Sequence, residues 1–327
     1  MVSVRTTGLI ARVDRLQQRH RGLGFPLAVI YKFVDDQGGY LAALITYYAF
    51  VSLFPLLLIL TTVLGVILRT QPHLQQRILD SAVSQFPVIG DQLGHPERLS
   101  GGAVGVIIGI GAAVFGGLGV SVAVQNAMNV AWTVPVNRRP DPFVVRVRGL
   151  LGLATLGPLM LGSTVLSRIG AMWQIGPGFA WLLTLASVMF DAVVFTIVFR
   201  CATVRSLRWR QVAPGAIAAA VAWQLLQQFG SLYVVRVVRH ASNTNGVFAV
   251  VLGLLAFLYL ASFAIVLCAE INVVRIDKLY PRALLTPFTE NVDLTRGDRR
   301  TYTGQAQAQR NKDFEDITVT FDQPPER

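Results

Sequence analysis

A single acidic residue, Asp191, lies near the centre of a long apolar run at residues 179–199. An ionised carboxylate at that depth in a bilayer costs about 2.5 to 3.5 kcal/mol on insertion scales, unless it faces water or a partner. Thr184 and Ser187 precede it by seven and four residues, so the three side chains share one helical face. This polar stripe predicts a substrate-binding or proton-carrying site within a membrane-spanning helix.

Two other apolar runs carry comparable polar stripes. In residues 213–235 the stripe recurs at i, i+3, i+4 and i+7, and consists of Gln224, Gln227, Gln228 and Ser231. The end of an earlier run and its continuation contribute Ser121, Gln125 and Asn129 at four-residue steps, with Asn126 beside them. Three stripes on three helices predict one shared polar cavity that opens toward the cytoplasm. Alternatively, these groups only join helices, at about 0.6 kcal/mol per interhelical hydrogen bond.

Two prolines inside apolar runs, Pro55 and Pro158, each free a backbone carbonyl and are predicted to be hinges or simple kinks. Tyr47 and Tyr48 come just before the first of them, which suggests a binding or gating role.

Glu270 and Asn272 follow the last apolar run, where we expect the membrane interface. Because Arg275 is close in sequence, our first interpretation is that Glu270 forms an anchoring ion pair with it.

The elements that position these residues are six apolar segments, each long enough to cross a bilayer core of about 30 Å as a helix. The predicted spans are residues 41–68, 102–123, 149–167, 179–199, 213–235 and 246–268. The composition agrees, because 53% of the residues are hydrophobic and only 14% are charged. The sequence therefore predicts an all-α, six-helix transmembrane bundle at residues 41–280. It is preceded by an arm with amphipathic interfacial helices at residues 1–40 and followed by a disordered cytoplasmic tail at residues 281–327.

Positive charge alternates between the connections of this bundle. The odd-numbered loops hold 6 of the 29 lysines and arginines, whereas the termini and even-numbered loops hold 23. Cationic segments stay on the cytoplasmic side, so both termini are predicted to be cytoplasmic and the protein multi-pass. A basic collar suited to anionic lipid headgroups comprises Arg138, Arg139, Arg146, Arg148, Arg200, Arg205, Arg208 and Arg210. Topology explains the net charge of +11 without a nucleic-acid partner.

Signatures of enzymes and cofactor sites are missing from the sequence. The four histidines are scattered with no HxxxH or Cys-His cluster for zinc, and no GxSxG elbow or P-loop is present. We therefore expect no enzyme activity, no metal and no cofactor. Glycines crowd residues 101–119, including Gly105 and Gly109, and predict close helix packing, either within the chain or at a homo-oligomer interface.

Four motifs in order, AALITYYAFVSLFPLLLIL from Ala42, NAMNVAW from Asn126, PGAIAAAVAW from Pro214 and AEINVVR from Ala269, resemble the YihY/BrkB family of envelope proteins. The resemblance covers about residues 25–280. It implies six inner-membrane helices with both ends cytoplasmic, and a link to envelope integrity or lipid export. The family's former label, ribonuclease BN, is regarded as a misassignment, and the dispersed acidic residues here also disfavour a nuclease.

The leading functional hypothesis is therefore export or transbilayer movement of an amphipathic envelope component, a lipid, with membrane lipids as partners. Two alternatives remain open: a scaffold that recruits envelope-biogenesis partners without transporting anything, and a proton-coupled transporter of small solutes that uses Asp191.

Overall fold

The computed structural model describes residues 14, 16–67, 103–149, 151–152, 177–233, 243–284 and 294–321. Within these ranges the chain forms helices, turns and irregular segments but no strand, which confirms the all-α class. The main helices are α1 (Arg21–Asp35), α2 (Gly38–Ile67), α3 (Ala103–Ala131), α4 (Pro177–Cys201), α5 (Trp209–Tyr233), α6 (Asn243–Ile276) and α7 (Arg296–Ala308).

Five of the six predicted spans fall on helices α2 to α6. Helix α3 continues eight residues past the predicted end of its span and so includes the polar positions 125, 126 and 129. The third predicted span, residues 149–167, lies largely outside the described ranges, as does Pro158. Pro55 lies inside α2. Among the described residues, the stretches Thr184–Cys201 and Val251–Ile276 are long and apolar enough to cross a membrane, and Gly38–Leu53 is a shorter apolar helix.

Helix α6 packs against α1, α2, α3 and α5, and it therefore lies at the centre of the described helices. Helix α2 packs along α3, and α4 packs along α5. One face of α4 is more than half exposed over Leu182, Leu185, Met189 and Val193, which are spaced three to four residues apart. Such an apolar face on an apolar helix suits contact with lipid chains.

The close approach of α2 to α3 depends on two glycines. A methyl group at Gly116 would collide with Ser52, and one at Gly119 would collide with the ring of Tyr48. The expectation of close helix packing in this glycine-rich region therefore holds within the chain at these two positions.

One end of the bundle is called the polar end below. Helices α1, α3, α4 and α6 end there, and helices α2 and α5 begin there. Three pairs of residues hold this end together. Asn129 of α3 accepts from Thr203 after α4 at 3.2 Å, Gly215 of α5 donates to Asn272 of α6 at 2.8 Å, and Arg205 binds Asp277. Met128, Phe199, Val212 and Val273, one from each of α3 to α6, belong to one buried apolar cluster.

The prediction of disorder for residues 281–327 is wrong for α7. Thr295 accepts a hydrogen bond from the Asp298 amide at 3.2 Å, and the Asp298 carboxylate accepts one from the Thr295 amide at 3.0 Å. This capping box satisfies the free amides at the start of α7. Composition alone predicted disorder because the segment is polar, but its buried polar groups bind other polar groups of the chain instead of an apolar core.

Candidate functional site

The buried carboxylate of Asp191 binds a polar residue of the neighbouring helix. Its side chain on α4 is only 3% exposed, and its Oδ2 accepts a hydrogen bond from the Gln224 amide of α5 at 2.9 Å. Ser187, one turn earlier on α4, is also buried. The structure thus brings together members of two of the three predicted stripes.

Three other members of these two stripes are less buried than Asp191. Thr184 is exposed on α4, Gln227 is half-buried and Gln228 is exposed on α5. Ser231 lies in the last turn of α5. Asp191 and Gln224 thus form a polar contact within the packing of α4 on α5.

The α3 amides occupy a different level of the molecule. Gln125 donates to Ser121 at 3.2 Å and to the carbonyl of Val145 at 3.0 Å. Asn129 accepts from Thr203 Oγ1 and, at 3.1 Å, from the Val204 amide. Thr203 and Val204 lie beyond the end of α4 at Cys201, which is ten residues or about 15 Å along the helix from Asp191. The described contacts do not join this third stripe to Asp191.

The two tyrosines before Pro55 have different environments. Tyr47 is 59% exposed, whereas Tyr48 packs against Gly119 of α3. Their rings contact each other edge to face, with centroids 5.3 Å apart. Tyr48 therefore serves the packing of α2 on α3, and Tyr47 remains available to surrounding molecules.

Glu270 and Asn272 are buried inside the polar end rather than lying at its surface. Asn272 is 1% exposed and binds the Gly215 amide. The expected pairing of Glu270 with Arg275 is wrong, because Arg275 donates to the carbonyls of Arg210 and Gln211 at 3.0 and 2.9 Å. The partner of Glu270 is Lys32 of α1, at 3.8 Å.

Lys32 is a functional candidate that sequence reasoning missed. It is completely buried, pairs with Asp36 one turn later, and donates to the carbonyl of Ala131 at 3.1 Å. Burial alone would lower its pKa, but the Glu270 and Asp36 carboxylates outweigh this and raise the pKa above 10.5. The signal was present, since Lys32 falls on the apolar face of α1 between Val29 and Phe33.

A second buried ion pair anchors the segment before α7. Arg282 is 1% exposed and pairs with Asp298 of α7 and, at 2.9 Å, with Asp35 at the end of α1. Burial lowers the pKa of the Arg282 guanidinium, but Asp298 and Asp35 more than compensate and raise it overall. Burial raises the pKa of the Asp35 carboxyl, and Arg282 offsets part of that rise. Gln305 of α7 also donates to Asp36 at 2.9 Å.

The arginines of the predicted basic collar differ in their exposure and in their contacts. The exposed members are Arg138, Arg146, Arg148, Arg200, Arg208 and Arg210. Arg200 stacks on Trp209 at 4.7 Å, and Arg205 stacks on Trp132 at 4.9 Å while it binds Asp277. Arg139 is half-buried and donates to the Asn126 side chain at 3.0 Å. The exposed members retain guanidinium groups that could meet anionic headgroups.

A cavity of about 390 Å³ opens at the polar end. The end of α1, the start of α2, the end of α3 and the end of α7 form its walls. Its polar lining includes Asp35, Asp36, Arg139, Gln305 and Gln309. Among the residues described, no group of three or more metal-binding side chains is present.

Residues 29–287 match the family described as virulence factor BrkB, which is most of the chain. The chain belongs to this BrkB family. The matched region contains Lys32, Asp191, Glu270 and Arg282, whereas α7 lies beyond it. The resemblance seen in the sequence motifs is therefore confirmed.

Several relatives of this BrkB-family chain are named UPF0761 membrane proteins. One from Stenotrophomonas maltophilia is 26% identical over 80% of the chain, and one from Nitrosospira multiformis is 22% identical over 79%. The chain spans 62% of the length of each of these two relatives. A third, from Paraburkholderia xenovorans, is 28% identical over 43% of the chain and is covered over 33% of its own length. No solved structure matches the chain. Together with the apolar helices, these matches identify a membrane protein.

Proposed function

We propose that this BrkB-family protein is a transporter that moves an amphipathic envelope component, a lipid, across the inner membrane of a bacterium. The observation that carries the proposal is the contact between Asp191 and Gln224, which puts a buried carboxylate inside a candidate membrane span. A role in helix packing alone is a weaker explanation, because neutral side chains join membrane helices without the cost of introducing an ionisable group.

The proposal assigns six membrane spans and a cytoplasmic location to the polar end. The exposed arginines Arg138, Arg146, Arg148 and Arg208 belong to that end or to its connections, and basic connections are retained on the cytoplasmic side. The anionic inner leaflet would then attract these side chains, and they would in turn concentrate anionic lipids around the bundle.

The lipid would use both kinds of surface that α4 presents. Its headgroup would bind polar groups around Asp191, while its acyl chains would stay along the exposed apolar face of α4 at Leu185, Met189 and Val193. A polar binding site bordered by apolar surface allows a headgroup to leave water without exposing the chains to it.

The test is transbilayer movement of labelled anionic and zwitterionic lipids in proteoliposomes that contain the full chain. Asp191→Asn should reduce the transport rate at least about tenfold, because it removes the charge at roughly constant volume. Thr196→Val is the matched control: Thr196 is buried in the same helix, but it only donates to the carbonyl of Ala192, one turn earlier.

Undiminished transport in Asp191→Asn would overturn the role of that carboxylate. Equal loss in Asp191→Asn and Thr196→Val would show that the helix, and not the charge, matters. Absence of movement with every lipid in wild-type protein would favour the alternative of a scaffold that recruits envelope-biogenesis partners.

A further inference from the structure

One wall of the cavity at the polar end carries a cation, Arg139, for which no anionic partner is found among the described residues. Arg139 donates from Nη1 to Asn126 Oδ1 at 3.0 Å and from Nε to the carbonyl of Val134 at 3.3 Å, and both acceptors are neutral. Burial lowers the pKa of its guanidinium, and within the described ranges no carboxylate forms an ion pair with it. A half-buried arginine of this kind attracts an anion, and phosphate suits its planar array of donors.

Two carboxylates, those of Asp35 and Asp36, belong to another part of the cavity lining. Both belong to the buried network in which Asp35 and Asp298 pair with Arg282, and Asp36 pairs with Lys32. Even without a charge on Glu270, the three aspartates of this network outnumber its two cations. Because charges out of water require compensation, this wall favours a positively charged group with hydrogen-bond donors. The cavity therefore suits a ligand with an anionic and a cationic end.

The cavity lies beside an apolar stripe on α2. Tyr40 and Leu41, in the first turn of that helix, form part of its lining. Tyr40, Leu44 and Tyr47 follow one another at four and three residues, and they are 78%, 40% and 59% exposed. A single face of α2 thus leads away from the charged walls as a surface that acyl chains can cover.

We propose that this cavity binds the headgroup of a phospholipid that has both a phosphate and a primary ammonium, such as phosphatidylethanolamine. The phosphate binds Arg139, the ammonium donates to Asp35 and Asp36, and the chains follow Tyr40, Leu44 and Tyr47. The volume of about 390 Å³ lies within the range of small-molecule sites, about 300 to 1,000 Å³. That the bound lipid is a transport substrate rests on the proposed function, whereas binding of the lipid to the cavity does not.

Charge placement predicts which lipids the cavity rejects. Phosphatidylglycerol lacks the ammonium and would leave the carboxylates facing an anionic ligand. Phosphatidylcholine has the phosphate, but its quaternary ammonium has no N–H group to donate to Asp35 or Asp36. Free phosphoethanolamine has both charges, but it lacks the chains that would cover the α2 stripe.

The experiment is lipid binding to the purified full chain in detergent, with apparent dissociation constants measured by native mass spectrometry. Arg139→Gln should weaken phosphatidylethanolamine binding about tenfold or more, because it removes a charge-assisted contact. Arg296→Gln is the matched control, since Arg296 is exposed, lies outside the basic collar and is not part of the cavity lining; its effect should stay below about threefold. Arg139→Lys should recover part of the affinity.

The results separate this site from the one at Asp191. Binding that persists in Asp191→Asn supports a cavity that is independent of that carboxylate, whatever happens to transport. Equal effects of Arg139→Gln and Arg296→Gln would overturn the proposal, as would equal affinity for phosphatidylethanolamine and phosphatidylglycerol. Free phosphoethanolamine that binds as tightly as the lipid would overturn the lipid assignment. A thermal melt of each variant shows whether a loss of lipid affinity comes from misfolding. If Arg139→Gln is misfolded, the affinity of Arg139→Lys compared with that of wild type tests the proposal instead.

Discussion

The ammonium nitrogen of Lys32 lies 3.8 Å from the carboxylate of Glu270, and both side chains are completely buried. Lys32 also pairs with Asp36 and donates to the carbonyl of Ala131. One side chain therefore joins α1 to the end of α3 and to α6. Because α6 is also the helix that packs against most of the others, this contact fixes the amino-terminal helix to the centre of the bundle.

Replacement of Lys32 by methionine should destabilise the protein by about 3 to 5 kcal/mol. Methionine fills much of the space, but it leaves Glu270 and Asp36 buried beside each other without their shared cation. The measurement is thermal unfolding in detergent. Lys312→Met, at an exposed lysine in the carboxyl-terminal segment, should change stability by less than about 0.5 kcal/mol. Similar melting temperatures for the two variants would show that the buried cation contributes little.

The same lysine predicts a loss of stability at alkaline pH. Its raised pKa means that the folded state holds a proton more tightly than the unfolded state, whose pKa is near 10.5. The stabilisation is complete below that value and is lost as pH rises through the folded-state pKa. Burial raises the pKa of Tyr31 and Tyr302 above 10.0, so their contribution to the stability of the folded protein is also lost as pH rises. Between about pH 9 and pH 11.5, the melting temperature of wild type should fall more than that of Lys32→Met.

The pH experiment has a clear contradictory outcome. Parallel curves for wild type and Lys32→Met would mean that Lys32 does not titrate differently in the folded state. Tyr302→Phe provides an independent comparison, because it removes one of the tyrosines and keeps Lys32. It should reduce the slope by a smaller amount, since Tyr302 is partly exposed and its charge is screened by solvent.

Most helices of this fold could be predicted from the sequence because hydrophobic runs are a local property. The helix from Gly38 to Ile67 differs by only a few residues from its predicted span at residues 41–68. The charged interior of the polar end was not predicted. Its contacts join residues up to 270 positions apart, such as Asp14 and Leu284, and no local pattern specifies such pairs.

The candidate site shows the same division. Helical spacing placed Ser187 and Asp191 on one face of α4, and Asp191 and Gln224 meet in the structure. Spacing did not reveal that Asn126 and Asn129 bind Arg139 and Thr203, because the point at which α3 meets the segment after α4 depends on the packing of the whole bundle. A periodic stripe indicates which side of a helix is polar, but not which helix it meets.

Asp298→Asn should release α7 from the polar end. The change removes the charge that pairs with buried Arg282, a loss of about 1.5 to 3 kcal/mol for a hydrogen bond to a charged group, while asparagine can still cap the helix. Chymotrypsin should then cleave after Tyr302 at least about tenfold faster, since local opening exposes that bond more often.

The control for the release of α7 is Asp313→Asn, which makes the same chemical change where the carboxylate accepts only an exposed hydrogen bond, from Asn137. Its cleavage rate after Tyr302 should match that of wild type. Slow cleavage in Asp298→Asn would indicate that Gln305 and the backbone contacts of α7 hold the helix without the ion pair.

Gly215→Ala should separate the start of α5 from the end of α6. The Gly215 amide donates to Asn272 Oδ1 at 2.8 Å, and an added methyl group would overlap the carbonyl oxygen of Cys268 and the Asn272 side chain. Alanine gains up to about 1 kcal/mol of helix propensity, but overpacking costs about 1 to 3 kcal/mol and the hydrogen bond lengthens as well. We expect a net loss of stability in a thermal melt.

Gly111→Ala is the matched substitution for Gly215→Ala, because a methyl group at Gly111 of α3 would meet no atom within 4 Å. It should leave stability unchanged or raise it by up to about 1 kcal/mol. Adding Asn272→Ala to Gly215→Ala removes the side-chain overlap but leaves the Cys268 carbonyl in place. A double variant as stable as Asn272→Ala alone would mean that the backbones of α5 and α6 can move apart freely, and that the glycine is not required for their close approach.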